Sequence, residues 1–116
     1  MSLRVETECV GHVLIVRLEG DLDHHTAEFL RNKLEDDIAR NPIDHILLSL
    51  ENLHFMDSSG LGVILGRYKQ MNARGGDMTV CSLSPVMHRM FELSGLFKIL
   101  KIKESEHEAL LGLGVA

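Results

Sequence analysis

The segment from Ile43 to Leu53, IDHILLSLENL, is apolar at most positions and shows little of the in-and-out alternation of a half-wet strand. Runs of this type lie in sheets covered on both faces. It leads through FMDSSG into LGVILGRYK, where Leu61, Ile64, Leu65 and Tyr68 recur at i, i+3, i+4 and i+7. That is the stripe of an amphipathic helix. A doubly covered strand that runs straight into a helix is half of a crossover unit. It restricts the chain to folds in which strands and helices alternate around a parallel sheet.

The rest of the chain extends that pattern. LRVETECV, Leu3 to Val10, places Leu3, Val5 and Thr7 on one face, and Gly11-His12 separates it from VLIVRLEG, Val13 to Gly20. Two such runs around a short glycine-containing connection predict an antiparallel hairpin. Ala27, Leu30, Leu34 and Ile38 then mark a helix that Asn41-Pro42 stops, because proline disfavours helical backbone in the residue before it. Gly75-Gly76 ends the second helix, and Asp77 to Leu83 reads as a strand. Ser84-Pro85 supplies a cap and a first-turn proline for a third helix. That helix closes at Gly95, where Leu96 can pack back on the last turn. LFKILKI is expected to be the final strand, and a short helix is expected to begin at Ser105. The order β β α β α β α β α over residues 1–116 predicts one α/β domain. Its sheet is single, mixed and largely parallel, with an N-terminal β-hairpin and helices packed against it. A hydrophobic share of 45% is enough for one core at this length.

Composition removes several functions. A net charge of −5 argues against nucleic acid, which needs clustered Lys and Arg. One tyrosine and four phenylalanines form no stacking platform. No run approaches the ~18 apolar residues of a membrane span, and MSLRVETE lacks the features of a secretory signal. The protein is expected to be soluble and cytoplasmic, with no membrane partner. Cys9 and Cys81 lie in strand-like stretches and are read as free, buried thiols rather than a disulfide. His24-His25 is an adjacent pair, His45, His88 and His107 stand alone, and no spacing resembles a metal-ligand set.

The stretch Asp57-Ser58-Ser59-Gly60 is the chemical focus. Gly60, Gly62 and Gly66 follow a strand and open a helix, as in a dinucleotide fingerprint, but their spacing is G-x-G-x-x-x-G. Asp77 opens the following strand rather than ending it, and Asp57 puts negative charge where a pyrophosphate would sit. A nucleophile elbow needs glycine two residues before the serine, and Met56 and Asp57 occupy those places. Two readings stay open on the residues alone. Asp57 or Ser58 caps the helix, or a serine at this helix mouth accepts a phosphate. A phosphate would add about −1.5 to −2 charges beside Asp57, altering a docking surface more than the fold.

DSSGLGVILGRYK after an apolar strand, together with GDLD at Gly20 to Asp23, resembles the anti-sigma factor antagonists. Their domain is shared with sulphate transporters (the STAS domain), and the likeness spans nearly the whole chain and is nearest to the sporulation branch. The resemblance implies a protein without catalytic activity or cofactor. Its partner would be an anti-sigma factor that is also an ATP- or ADP-bound serine kinase. Unphosphorylated, the protein would bind that kinase and release the sporulation sigma factor. Phosphorylation at Ser58 would switch this off, and a PP2C-type phosphatase would reset it. Asp21, Asp23, Asp57, Ser59, Gly60 and Leu61 become the expected partner contacts, with Asp23 also placed to orient the Ser58 hydroxyl. The alternatives are a STAS module of a stress-response pathway and a small-nucleotide-binding protein that uses the glycine-rich turn.

Overall fold

The computed structural model of the chain describes residues 2–115. Strands β1 (Leu3–Val10) and β2 (Val13–Leu22) form the antiparallel hairpin, in register from Val10 opposite Val13 to Leu3 opposite Gly20. Helix α1 (Ala27–Arg40) carries the chain to β3 (His45–Met56), which lies parallel to β2. Helix α2 (Ser58–Ala73), β4 (Met78–Cys81), α3 (Pro85–Ser94), β5 (Lys101–Lys103) and α4 (Glu106–Gly112) follow. The strands stand side by side in the order β1-β2-β3-β4-β5, all parallel after the hairpin. The expected fold class and element order are those observed.

The parallel strands are apolar because both of their faces are covered. Leu14, Val16 and Leu18 of β2, Ile46, Leu48 and Leu50 of β3, and Val80 of β4 join one large core. Against them pack Leu30, Leu34 and Ile38 of α1, Ile64 and Met71 of α2, and Met87 and Phe91 of α3. Val13, Ile15, Leu47 and Cys81 point to the opposite face and are covered by Ala109 of α4, with Leu110, Leu113 and Val115 packed beside it. No helix among the described residues is long and apolar enough to cross a membrane.

Four local expectations are corrected. The buried stripe of α2 consists of Gly60, Val63, Ile64 and Met71, while Leu61, Leu65 and Tyr68 lie half-buried at its margin. The helix is rotated because Gly60 is a packing residue: a Cβ there would sit 2.7 Å from Leu22 Cγ and 2.8 Å from Met56 Cγ. The last strand is shorter than LFKILKI, because Leu96–Lys98 forms a 3-10 turn after Gly95 closes α3 at φ 78° and tucks Leu96 into the core. Strand β4 ends at Cys81, where Ser82 turns the chain away at φ 60°. Cys9, expected inside, is exposed on the edge strand β1, whereas Cys81 is buried and burial pushes its thiol pKa up.

The two glycines of α2 give opposite expectations. Gly60→Ala is expected to lower stability by about 1–3 kcal/mol, the usual cost of overpacking. At Gly66, mid-helix with nothing within 4 Å of an added Cβ, alanine is expected to add about 1 kcal/mol. Urea unfolding followed by circular dichroism measures both.

Candidate functional site

The site is created by strand register. Sequence reading ends β2 at Gly20, but the strand continues, with shifts in register after Arg17 and Gly20, until Asp21 pairs with Phe55 and Leu22 with Met56. Bulges of this sort re-aim the residues that follow them. The two chains therefore leave the sheet together, and Asp23 and Asp57 each stand one residue beyond a paired position. GDLD and DSSG, 33 residues apart between His24 and Asp57, become one surface.

Asp57 ties the two loops. Its Oδ1 accepts from the N–H groups of Ser59 at 2.9 Å and Gly60 at 3.3 Å, capping α2. Its Oδ2 accepts from the His24 N–H at 3.1 Å, and its own N–H donates to the Leu22 carbonyl at 3.1 Å. Both carboxylate oxygens are thus engaged within the protein. Of the two readings left open for this stretch, the cap belongs to Asp57 and leaves Ser58 exposed at the first position of the helix.

Asp23 organises the other loop. Its Oδ1 accepts from the N–H groups of His25 at 2.9 Å and Thr26 at 3.1 Å, and its own N–H donates to Thr26 Oγ1 at 2.9 Å. The Thr26 hydroxyl donates to the Asp21 carbonyl at 2.8 Å. Asp23 is only 3% exposed. Burial alone would raise its carboxyl pKa, but the N–H groups of Thr26 and His25 outweigh that and hold it below the ordinary value. Its bonded oxygen faces its own loop rather than Ser58, and the other, Oδ2, is buried without a hydrogen-bond partner. Asp23 therefore shapes the loop that meets Asp57.

Among the remaining expected contacts, Asp21, Ser59 and Leu61 are half-buried, while Gly60 is buried and acts by letting α2 approach Leu22 and Met56. Beside Ser59 a groove of about 340 Å³ runs between α1 and α2, lined by His24, Glu28, Arg31, Gly62 and Arg67 among others. Arg67 Nε, 3.3 Å from Glu35 Oε1, spans the two helices. Sequence reading missed His24, whose contribution is a backbone N–H and so leaves no mark in residue type. Phe55, next to last in β3, is 42% exposed just before the helix mouth and was likewise not singled out; an aromatic residue at the end of a strand before a polar loop was the available signal. Two of the amides that would cradle a pyrophosphate, those of Ser59 and Gly60, already serve Asp57, which weighs against a nucleotide site there. Among the described residues, no group of three or more His, Cys, Asp or Glu side chains comes together to hold a metal.

Asp57→Ala is expected to lose about 1–2 kcal/mol, the scale of an N-cap, and Asp57→Asn less, in urea unfolding. Asp23, with its pKa depressed in the folded state, stabilises the fold above the ordinary aspartate value of about 3.9. That contribution is lost as pH falls through the folded pKa. The stability gap between wild type and Asp23→Asn is thus expected to be full near neutrality and to shrink in acid, as unfolding midpoints measured across the acid range would show.

Residues 4–109 match the STAS domain. An anti-sigma F factor antagonist of Paenibacillus polymyxa is 54% identical over 115 residues, covering 99% of this chain and 98% of that one. Among solved structures, the anti-sigma factor antagonist SpoIIAA in its unphosphorylated form aligns with a TM-score of 0.74 at 30% identity, over 94% of this chain and 96% of that one. The Bacillus cell fate determinant SpoIIAA in its phosphorylated form aligns with a TM-score of 0.73 at 35% identity, over 92% and 96%. With its sheet order, its helix mouth and these relatives in agreement, the chain belongs to the STAS-domain family of anti-sigma factor antagonists.

Proposed function

We propose that this protein is a phosphorylation-controlled antagonist of a sigma-F-type anti-sigma factor, with Ser58 as the phosphate acceptor. One observation carries the reading: Asp57 alone caps α2, so the Ser58 hydroxyl stands exposed and is not needed for the cap. Catalysis belongs to the partner, a cytoplasmic serine kinase that uses ATP and also holds the sigma factor. Unphosphorylated, the antagonist docks on that kinase and frees the sigma factor. A PP2C-type phosphatase returns the phosphorylated form to the active pool.

The electrostatics of the mouth suit such a switch. A phosphate on Ser58 brings about −1.5 to −2 charges. The helix amides of Ser59 and Gly60 already serve Asp57, so the new charge finds no compensation from them. It stays at the surface, beside a carboxylate. Carrying it unpaired into an interface costs several kcal/mol, and each ~1.4 kcal/mol weakens binding tenfold. The fold need not change. That the phosphorylated and unphosphorylated SpoIIAA structures both align with this chain accords with a switch of this kind. The docking surface consists of Ser58, Ser59, Leu61 and Phe55 at the mouth, with Asp21 on the adjoining loop.

Intact-protein mass after incubation with the sigma-F-type anti-sigma factor and ATP, followed by peptide mapping, tests the proposal. One phosphate on Ser58 is expected. Ser58→Ala is expected to stay folded, take no phosphate and remain bound in the presence of ATP, while Ser58→Asp binds at least about tenfold more weakly. Modification of Ser58→Ala at the full rate would overturn the assignment of the acceptor. Tighter capture by a sigma-B-type anti-sigma factor would move the protein to a stress-response pathway.

A further inference from the structure

We propose that α4 is a detachable strap, latched by Arg17 and Glu106, whose release uncovers the second face of the sheet while the rest of the domain stays folded. The helix has seven residues, of which Ala109 is the one fully buried, with Leu110 and, just after the helix, Leu113 and Val115 partly buried against the same patch. A helix this short has no stability of its own in water, so it exists only while docked. Its polar hold is a two-pronged pair, with Arg17 Nε 2.7 Å from Glu106 Oε2 and Arg17 Nη2 2.9 Å from Glu106 Oε1.

Release leaves no stranded charge. Arg17 Nη1 is also 3.1 Å from Glu6 Oε2 and 3.1 Å from Glu8 Oε1, both on β1. When α4 lifts, Arg17 keeps these two carboxylates and Glu106 passes into water. What opens is a small apolar patch of Val13, Ile15, Leu47 and Cys81. Strands β2, β3 and β4 remain anchored from their other face by Leu14, Val16, Ile46, Leu48 and Val80, in the larger core with α1, α2 and α3. The sheet therefore divides the molecule into a strongly held side, which carries Ser58, and a weakly held side under α4. Regions with few buried contacts open locally at free energies below that of global unfolding.

The two cysteines make this measurable, since Cys81 is 0% exposed beneath α4 while Cys9 is exposed. In the full chain with Cys9→Ser, labelling of Cys81 by a disulfide reagent would be followed in urea below the unfolding transition. The expected rate varies with urea far less steeply than global unfolding does. Glu106→Gln is expected to raise it about tenfold, and Arg17→Gln similarly, the factor that corresponds to losing one charge-assisted pair. Labelling with the steep urea dependence of global unfolding would overturn the strap, whether or not the substitutions fold. A shallow dependence that neither substitution moves would overturn the Arg17–Glu106 latch.

Discussion

The carboxylate of Asp57 is the interaction on which the functional end of the molecule depends. One oxygen holds the Ser59 and Gly60 amides in the first turn of α2 and the other holds the backbone of His24, so one side chain both caps a helix and fastens the neighbouring loop. A charged acceptor serving several backbone donors is stronger than a neutral cap, and here it spans two segments far apart in sequence. Because the cap is supplied from position 57, the hydroxyl at position 58 carries no structural duty. A residue without structural duty can be changed without removing a contact that the fold needs.

The same carboxylate limits what the glycine-rich turn can do. Helix mouths attract anions through their free N–H groups and their dipole. In this protein an internal carboxylate already takes the amides of Ser59 and Gly60, so an added phosphate finds these two donors occupied and a negative charge beside it. The glycines have separate tasks. Gly60 permits close approach over Leu22 and Met56, whereas Gly62 and Gly66 leave open space along the helix. A motif that reads as nucleotide-binding in one dimension is, in three, a packing contact and a groove wall.

Much of the architecture was legible because each element carried its own punctuation. Ser84-Pro85, Gly95 and Ser105 sit at the ends of helices where cap chemistry places them. The mostly apolar stretch of β3 reflects a strand buried on both faces from Ile46 to Leu50, the polar Ser49 included. Residue type says least where burial depends on what lies opposite. Cys9 and Cys81 have similar neighbours in sequence, yet one is on an edge strand and the other lies under α4. The buried face of α2 was misread because glycine carries no hydrophobicity, although its lack of a side chain is what allows the closest contact.

Residue type and spacing alone determined the alternation of strands and helices, the hairpin at the start, and a helix mouth with more polar groups than a cap requires. These are local properties, governed by backbone preference and by the period of apolar residues. Only the tertiary structure decided which of those polar groups is the cap, that Asp23 faces its own loop, and that His24 contributes through its backbone. The register of β2 on β3 sets the last of these, by bringing Leu22 opposite Met56 so that the His24 N–H meets Asp57. Register is a relation between distant segments, fixed by bulges and by packing on both faces of the sheet, and no local pattern in either strand contains it.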